Sequence, residues 1–307
     1  MNAIQLHQLT KRYGEHMAVQ DVTVSIRKHC CTALLGPNGA GKTTTLHMLA
    51  GLIRPTSGEV RLLQEDGTAA AGDLRQWVGF LSQKPAFYGW MSGSEWLVYQ
   101  AELCGMPRKQ ARSAASQWLD KVGLGDAGRR RIGGYSGGMK QRLGIAQAMI
   151  GGPKLVILDE PVSALDPIGR REVMTLLQEI AGETTVLFST HILSDAEELC
   201  DDLIMMNRGR IVMQGQWEQL RSGAERPRLT VEVEPDPAAI DWLRRWAGKP
   251  VVEHSRIGRG RAEFTVRSID EARRTMLTEA ADMDIPLLRL ECGVTSLENM
   301  FMEAMIS

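Results

Sequence analysis

The chain predicts an α/β protein built on a largely parallel sheet and followed by a small α+β domain. Three stretches carry that prediction. Gly36 to Thr43 reads GPNGAGKT, set between the apolar run Cys31-Thr32-Ala33-Leu34-Leu35 and a helical pattern of Leu46, Leu49 and Ala50 that Gly51 closes. Leu155-Val156-Ile157-Leu158 is continuously apolar, as a strand covered on both faces of a parallel sheet must be. Beyond residue 226 the patterns run strand, helix, strand, strand, helix, strand.

Composition bounds the rest. The 307 residues suffice for one large domain and one small one. Lys and Arg number 36 against 37 Asp and Glu, a balance that argues against a protein whose task is coating nucleic acid. The five cysteines show no CxxC or metal-ligand spacing, which points to a reducing, cytoplasmic setting. Met1-Asn2-Ala3-Ile4-Gln5 lacks the basic and apolar regions of a signal peptide. No stretch approaches the ~20 apolar residues of a membrane span, so action at a membrane requires a second chain.

Taken in order, Ile4, Leu6 and Leu9, then Val22, Val24 and Ile26, alternate as half-buried antiparallel strands. Tyr13 lies in the turn between them, read either as packing or as a platform for a base. Gly58 to Leu63 and Val78 to Ser82 are further strands, with Gln83 at the end of the second. From about Pro85 to Pro153 the pattern turns helical, over Glu95–Leu103, Pro107–Val122 and Met139–Ile150. Arg129-Arg130-Arg131 reads as a solvated face. Thr185 to Thr190 is another buried run with His191 at its end, and Ser194-Asp195-Ala196-Glu197 fits a capping box for the next helix. Leu203–Met206 and Ile211–Met213 form a hairpin through Asn207-Arg208-Gly209. Ser222 to Pro227 reads as a linker. The strands Leu229–Val233, from Val251, Ala262–Val266 and Leu287–Glu291, with helices Ala238–Ala247 and Ile269–Ala281, give a ferredoxin-like order. Thr295 and Glu298 cap a last helix that carries Leu297, Phe301, Ala304 and Met305. Phe264 alone could stack a base, which excludes an RNA-binding use of this domain.

The chemistry follows from the loop. Gly36, Gly39 and Gly41 let the backbone curl so that several N–H groups point into one anion-sized hollow, and the helix start adds positive partial charge. Lys42 supplies a full charge for the β- and γ-phosphates, and the Thr43 hydroxyl is placed for Mg²⁺. Asp159 and Glu160 follow the apolar strand, at the carboxyl edge where such sheets bind ligands. Adjacent carboxylates repel unless a cation intervenes, so Asp159 is assigned to Mg²⁺ and Glu160 to the attacking water. His191 falls on the same rim. Tyr135-Ser136-Gly137-Gly138-Met139-Lys140-Gln141 opens a helix with Ser136 as N-cap; it is a second anion site, with no strand before it and no lysine entering it.

GPNGAGKT, Gln83, YSGGMKQ, LVILDE, Ser163-Ala164-Leu165-Asp166 and His191, in that order over residues 1 to about 220, resemble the ATP-binding subunit of an ABC transporter. The form resembles the exporter branch whose membrane subunit is a separate protein (ABC-2 type, with a C-terminal extension). The resemblance implies a P-loop NTPase core with an antiparallel β subdomain and a helical subdomain. It implies a domain over residues 1–222, with its helical part at about 85–153, and a regulatory or dimer-stabilising domain over 226–307. Its cofactors are ATP and Mg²⁺. Its partners are an integral-membrane permease and a second ATPase subunit, most simply an identical one, and no nucleic acid; its place is the inner face of the cell membrane.

Carried over by residue, Gly36, Pro37, Asn38, Gly39, Ala40, Gly41, Lys42, Thr43 and Thr44 cradle the phosphates and Tyr13 stacks on adenine. Thr43, Gln83 and Asp159 serve the metal. Glu160 is the general base, Gln83 senses the γ-phosphate and the permease, and His191 holds the γ-phosphate. Ser136 and Gly138 reach the ATP of the other subunit, and Asp166 links the two sites. Tyr135 and Met139 stand where the signature usually has Leu and Gln, and Ala164 where it has Gly. Phe87, Tyr88, Trp90 and Met91 lie where the family docks its permease, with core packing as the competing account. The rival class, a soluble ABC-type ATPase acting on DNA or ribosomes, calls for a second cassette or an inserted coiled coil.

Overall fold

The computed structural model describes residues 2–63, 68, 73–163, 165–224 and 226–294. They fall into two compact units, Met1–Trp217 and Glu218–Ser307.

In the first unit, β1 (Asn2–Tyr13) and β2 (His16–Arg27) form a long antiparallel hairpin, followed by β3 (Cys31–Leu35), α1 (Lys42–Leu49), β4 (Ser57–Leu62) and β5 (Val78–Leu81). Helices α2 (Gly93–Leu103), α3 (Arg108–Lys121) and α4 (Gly137–Met149) form the helical part, and Ala101, Ala111 and Ile150 make its small core. Then come β6 (Leu155–Leu158), α5 (Pro167–Ala181), β7 (Thr185–Thr190), α6 (Leu193–Leu199), β8 (Asp202–Asn207) and β9 (Arg210–Gln216). Helix α7 (Trp217–Ala224) follows.

Two sheets result. A three-stranded antiparallel sheet has the order β2-β1-β4, and a six-stranded sheet has the order β5-β6-β7-β3-β8-β9, parallel except for β9. The alternation in β1 and β2 turns Ile4, Leu6, Val22, Val24 and Ile26 toward Leu46 and Leu49 of α1 and toward Leu34, Ile157, Leu187 and Ile204 of the larger sheet. Helix α1 is therefore clamped between two sheets, which fixes the loop that precedes it. Strands β3, β6 and β7 are buried along their whole length. The β8–β9 hairpin turns through Arg208 and Gly209, both at positive φ (47° and 79°), the conformation that matches strand twist.

The second unit comprises β10 (Pro227–Val233), α8 (Pro237–Ala247), β11 (Val252–Ile257), β12 (Arg261–Val266), α9 (Ile269–Asp282) and β13 (Leu287–Val294). Its sheet order is β11-β12-β10-β13 with every pair antiparallel, the topology the ferredoxin-like order calls for. Trp242, Trp246, Phe264 and Met276 fill its core.

Three readings change. Helix α5 was not foreseen. Helix α7 takes up Ser222 to Ala224 of the stretch read as a linker. Ser194 does not cap α6: the helix begins at Leu193, its N-cap is Ile192, and no side chain caps it. The reason is tertiary, since Asp195 is turned inward to pair with Arg170 and so fixes where the helix starts. The terminal helix from Thr295 and Ala164 of the Ser163–Asp166 motif lie outside the described residues.

Candidate functional site

The loop after β3 takes its shape from its glycines. Gly39 and Gly41 stand at φ 82° and 102°, a region that side chains rarely enter. Gly36 packs so closely on β8 that a Cβ there would lie 2.2 Å from the Met206 carbonyl oxygen. Lys42, the first residue of α1, is buried and donates to the carbonyls of Gly36 (2.8 Å) and Pro37 (3.1 Å). Burial pushes its ammonium below the usual lysine range, and the charges of Glu160 and Asp159 oppose that shift.

The carboxylates arrive from β6. Asp159 is 2% exposed; its Oδ2 accepts from the Thr43 hydroxyl at 2.9 Å and its Oδ1 from the Ser189 hydroxyl at 2.6 Å. Glu160 adopts φ 47°, unusual for a residue with a side chain, and its N–H donates to Ser189 Oγ. Three groups converge on the Glu160 carboxylate. Gln83 Nε2 donates to Oε2 at 2.9 Å, His191 Nδ1 lies 3.1 Å from Oε1, and Lys42 Nζ lies 3.8 Å from Oε1. Lys42, Thr43, Gln83, Asp159, Glu160 and His191, drawn from four segments of the chain, thus form one cluster at the carboxyl ends of β3, β5, β6 and β7.

The donors suit the groups expected. Thr43 and Asp159 offer hard oxygens side by side, the ligand type Mg²⁺ takes alongside substrate phosphates. A curled loop at a helix start, with a buried ammonium beside it, suits a polyphosphate.

The remaining candidates stand apart from this cluster. Tyr13 ends β1 and is half exposed, with Lys11 Nζ 5.0 Å from its ring centroid. Ala18, early in β2, lies against Gly41, so the Tyr13 hairpin borders the loop. Ser136 is the N-cap of α4 and accepts from the Met139 N–H at 3.2 Å; it is exposed. Gly138 lies near Leu165, and Asp166 is the N-cap of α5. Among the described residues, no hydrogen bond joins Ser136, Gly138 or Asp166 to the Lys42–Glu160 cluster.

Two features escaped the sequence. Ser189 was not singled out, although a hydroxyl in a doubly covered strand must find a partner. Asp195, 1% exposed, accepts from Thr190 Oγ1 at 2.9 Å and pairs with Arg170 of α5, tying the Asp166 helix to the residue before His191. Near α2, Tyr88 and Trp90 are exposed and stacked, with centroids 5.9 Å apart, while Phe87 and Tyr88 pack edge-on against the buried Trp96.

Comparison with known proteins agrees with this geometry. Residues 19–163 match the family described as ABC transporter. Over 301 residues, 98% of each chain, the sequence is 41% identical to the uncharacterised ABC transporter ATP-binding protein YxlF of Bacillus subtilis. It is 36% identical to the bacitracin transport ATP-binding protein BcrA of Bacillus licheniformis, over 71% of each chain. Among solved structures, cbiO1 of Clostridium perfringens, part of the ABC transporter complex cbiONQ, superposes with a TM-score of 0.64 at 27% identity, covering 71% of this chain and 90% of that one.

Proposed function

Since the chain belongs to the ATP-binding subunits of ABC transporters, we propose that it hydrolyses ATP in a head-to-tail dimer and so drives export through a separate membrane subunit. The observation that carries this reading is the convergence of Lys42, Gln83 and His191 on the Glu160 carboxylate, with Thr43 and Asp159 paired alongside.

The loop from Gly36 to Thr44 cradles the triphosphate through its backbone N–H groups, and Tyr13 lies under the adenine. Lys42 and His191 hold the γ-phosphate. Glu160 takes the proton of the attacking water; its contacts with Gln83 and His191 keep the carboxylate on the loop side of the sheet. Thr43, Asp159 and Gln83 hold Mg²⁺, which offsets phosphate charge when bound. Ser136 and Gly138 of a second copy close over the nucleotide, and Asp166 links the two sites. Ser136 is exposed and its hydroxyl bonds only within its own helix start, which supports a clamp offered to a partner.

No described helix is long and apolar enough to cross a membrane, so we assign membrane attachment to the permease. The stacked pair Tyr88 and Trp90, beside Gln83 in sequence, is the proposed docking patch. The direction of transport follows the bacitracin relative by analogy. The DNA- or ribosome-acting class has no supporting feature: the phosphate-loop pattern occurs once in the sequence, and the longest described helix is α5, at 15 residues. Replacing Glu160 with Gln tests the reading, since it should stop turnover and leave ATP bound.

A further inference from the structure

Ser189 is the penultimate residue of a fully buried strand and is itself 0% exposed, yet its hydroxyl makes two bonds at the site. It donates to Asp159 Oδ1 at 2.6 Å and accepts the Glu160 N–H at 2.9 Å. Strand register explains the reach. Leu158 of β6 lies opposite Phe188 of β7, so Asp159, just past β6, comes beside Ser189 of β7.

Both bonds bear on geometry that needs holding. With Oδ1 occupied by Ser189, Asp159 turns Oδ2 toward Thr43. Glu160 sits at φ 47°, a backbone state unfavourable for a residue with a side chain, which persists only when its surroundings fix it. The Ser189 oxygen is what its amide is fixed to. The geometry points to Ser189 as a positioning residue for hydrolysis: one hydroxyl sets the angle of the Asp159 carboxylate toward Mg²⁺ and pins the strained Glu160. This rests on the roles given above to Asp159 and Glu160.

The test uses the full chain as wild type, S189A, S189C and D159N. Three measurements are made: ATP turnover against Mg²⁺ concentration, binding of a fluorescent ATP analogue in EDTA, and melting temperature with ATP in EDTA or in Mg²⁺. S189A should lose about 10–100-fold in turnover, the range for removing a hydrogen-bond partner of a metal ligand. It should also need more Mg²⁺ for half-maximal turnover, and gain less melting temperature from Mg²⁺, while binding the analogue in EDTA like wild type. S189C, with a weaker donor of similar size, should fall between the two. A wild-type magnesium titration and turnover in S189A, with D159N impaired, overturns the role of Ser189 and leaves the site reading intact. If D159N also keeps the wild-type magnesium requirement, the Asp159 assignment fails and takes this proposal with it. Should S189A melt below the assay temperature, S189C decides by the same measures: an unshifted titration overturns the role and a shifted one supports it.

Discussion

Lys42 Nζ stands 3.8 Å from Glu160 Oε1, and both side chains are buried. One comes from the start of α1 and the other from the end of β6, so their meeting depends on the parallel sheet that brings those two strand ends to one rim.

Glu160→Gln keeps the shape and can still bond Gln83, but removes the base. Turnover should fall about 10²–10⁴-fold with ATP affinity changed little. Phosphate release and equilibrium nucleotide binding, measured on the same preparation, separate the two effects. Undiminished hydrolysis would remove Glu160 from its role.

Gly36 has no room for a side chain, because a Cβ would lie 2.2 Å from backbone oxygen of Met206. Gly36→Ala must therefore displace β8 or the loop, at a cost of about 1–3 kcal/mol, as for other overpacked sites. A lower melting temperature together with weakened ATP binding is expected. A variant with wild-type melting and affinity would show that the loop does not pack on β8 in this way.

Arg170 is the charged partner of Asp195, whose other bond comes from Thr190. Arg170→Ala leaves a carboxylate 1% exposed without its counter-charge. Breaking a fully buried pair costs about 3–5 kcal/mol; Arg170 is 31% exposed, so about 1–3 kcal/mol is expected here. Urea unfolding of the full chain measures it, and a loss under about 0.5 kcal/mol would mean that the pair contributes nothing to holding α5 on α6.

Trp90 is 70% exposed and stacks on Tyr88. Trp90→Ala should leave melting temperature and basal ATP turnover of the isolated subunit unchanged while abolishing co-purification with its permease. Retained co-purification would place the docking surface elsewhere.

Much of this site was legible because its signals are local. The loop from Gly36 to Thr43 and the run Leu155–Leu158 each combine a spacing with a flank, and all six cluster members were read from them or from the family resemblance, whereas Ser189 beneath them was not. What was missed depends on contacts between distant segments. Ser189 matters because β6 and β7 pair in one register, and parallel register leaves no mark in a single strand. Helix α5 begins at an Asp166-Pro167 start signal, but its first turn shows only the exposed Ile168, and the buried stripe of Val173, Met174, Leu177 and Ile180 starts a turn later. Ser194 matched a capping pattern that lost to the Arg170–Asp195 pair, a tertiary contact overriding a local one.

The dimer is tested most directly by sizing Glu160→Gln with and without Ser136→Arg, in ATP and Mg²⁺. Glu160→Gln alone should shift from monomer to dimer when ATP and Mg²⁺ are added. The double variant should bind ATP with unchanged affinity and remain a monomer, because the exposed Ser136 helix start can no longer close over the partner's phosphates. A double variant that dimerises as readily as Glu160→Gln alone would contradict the shared site.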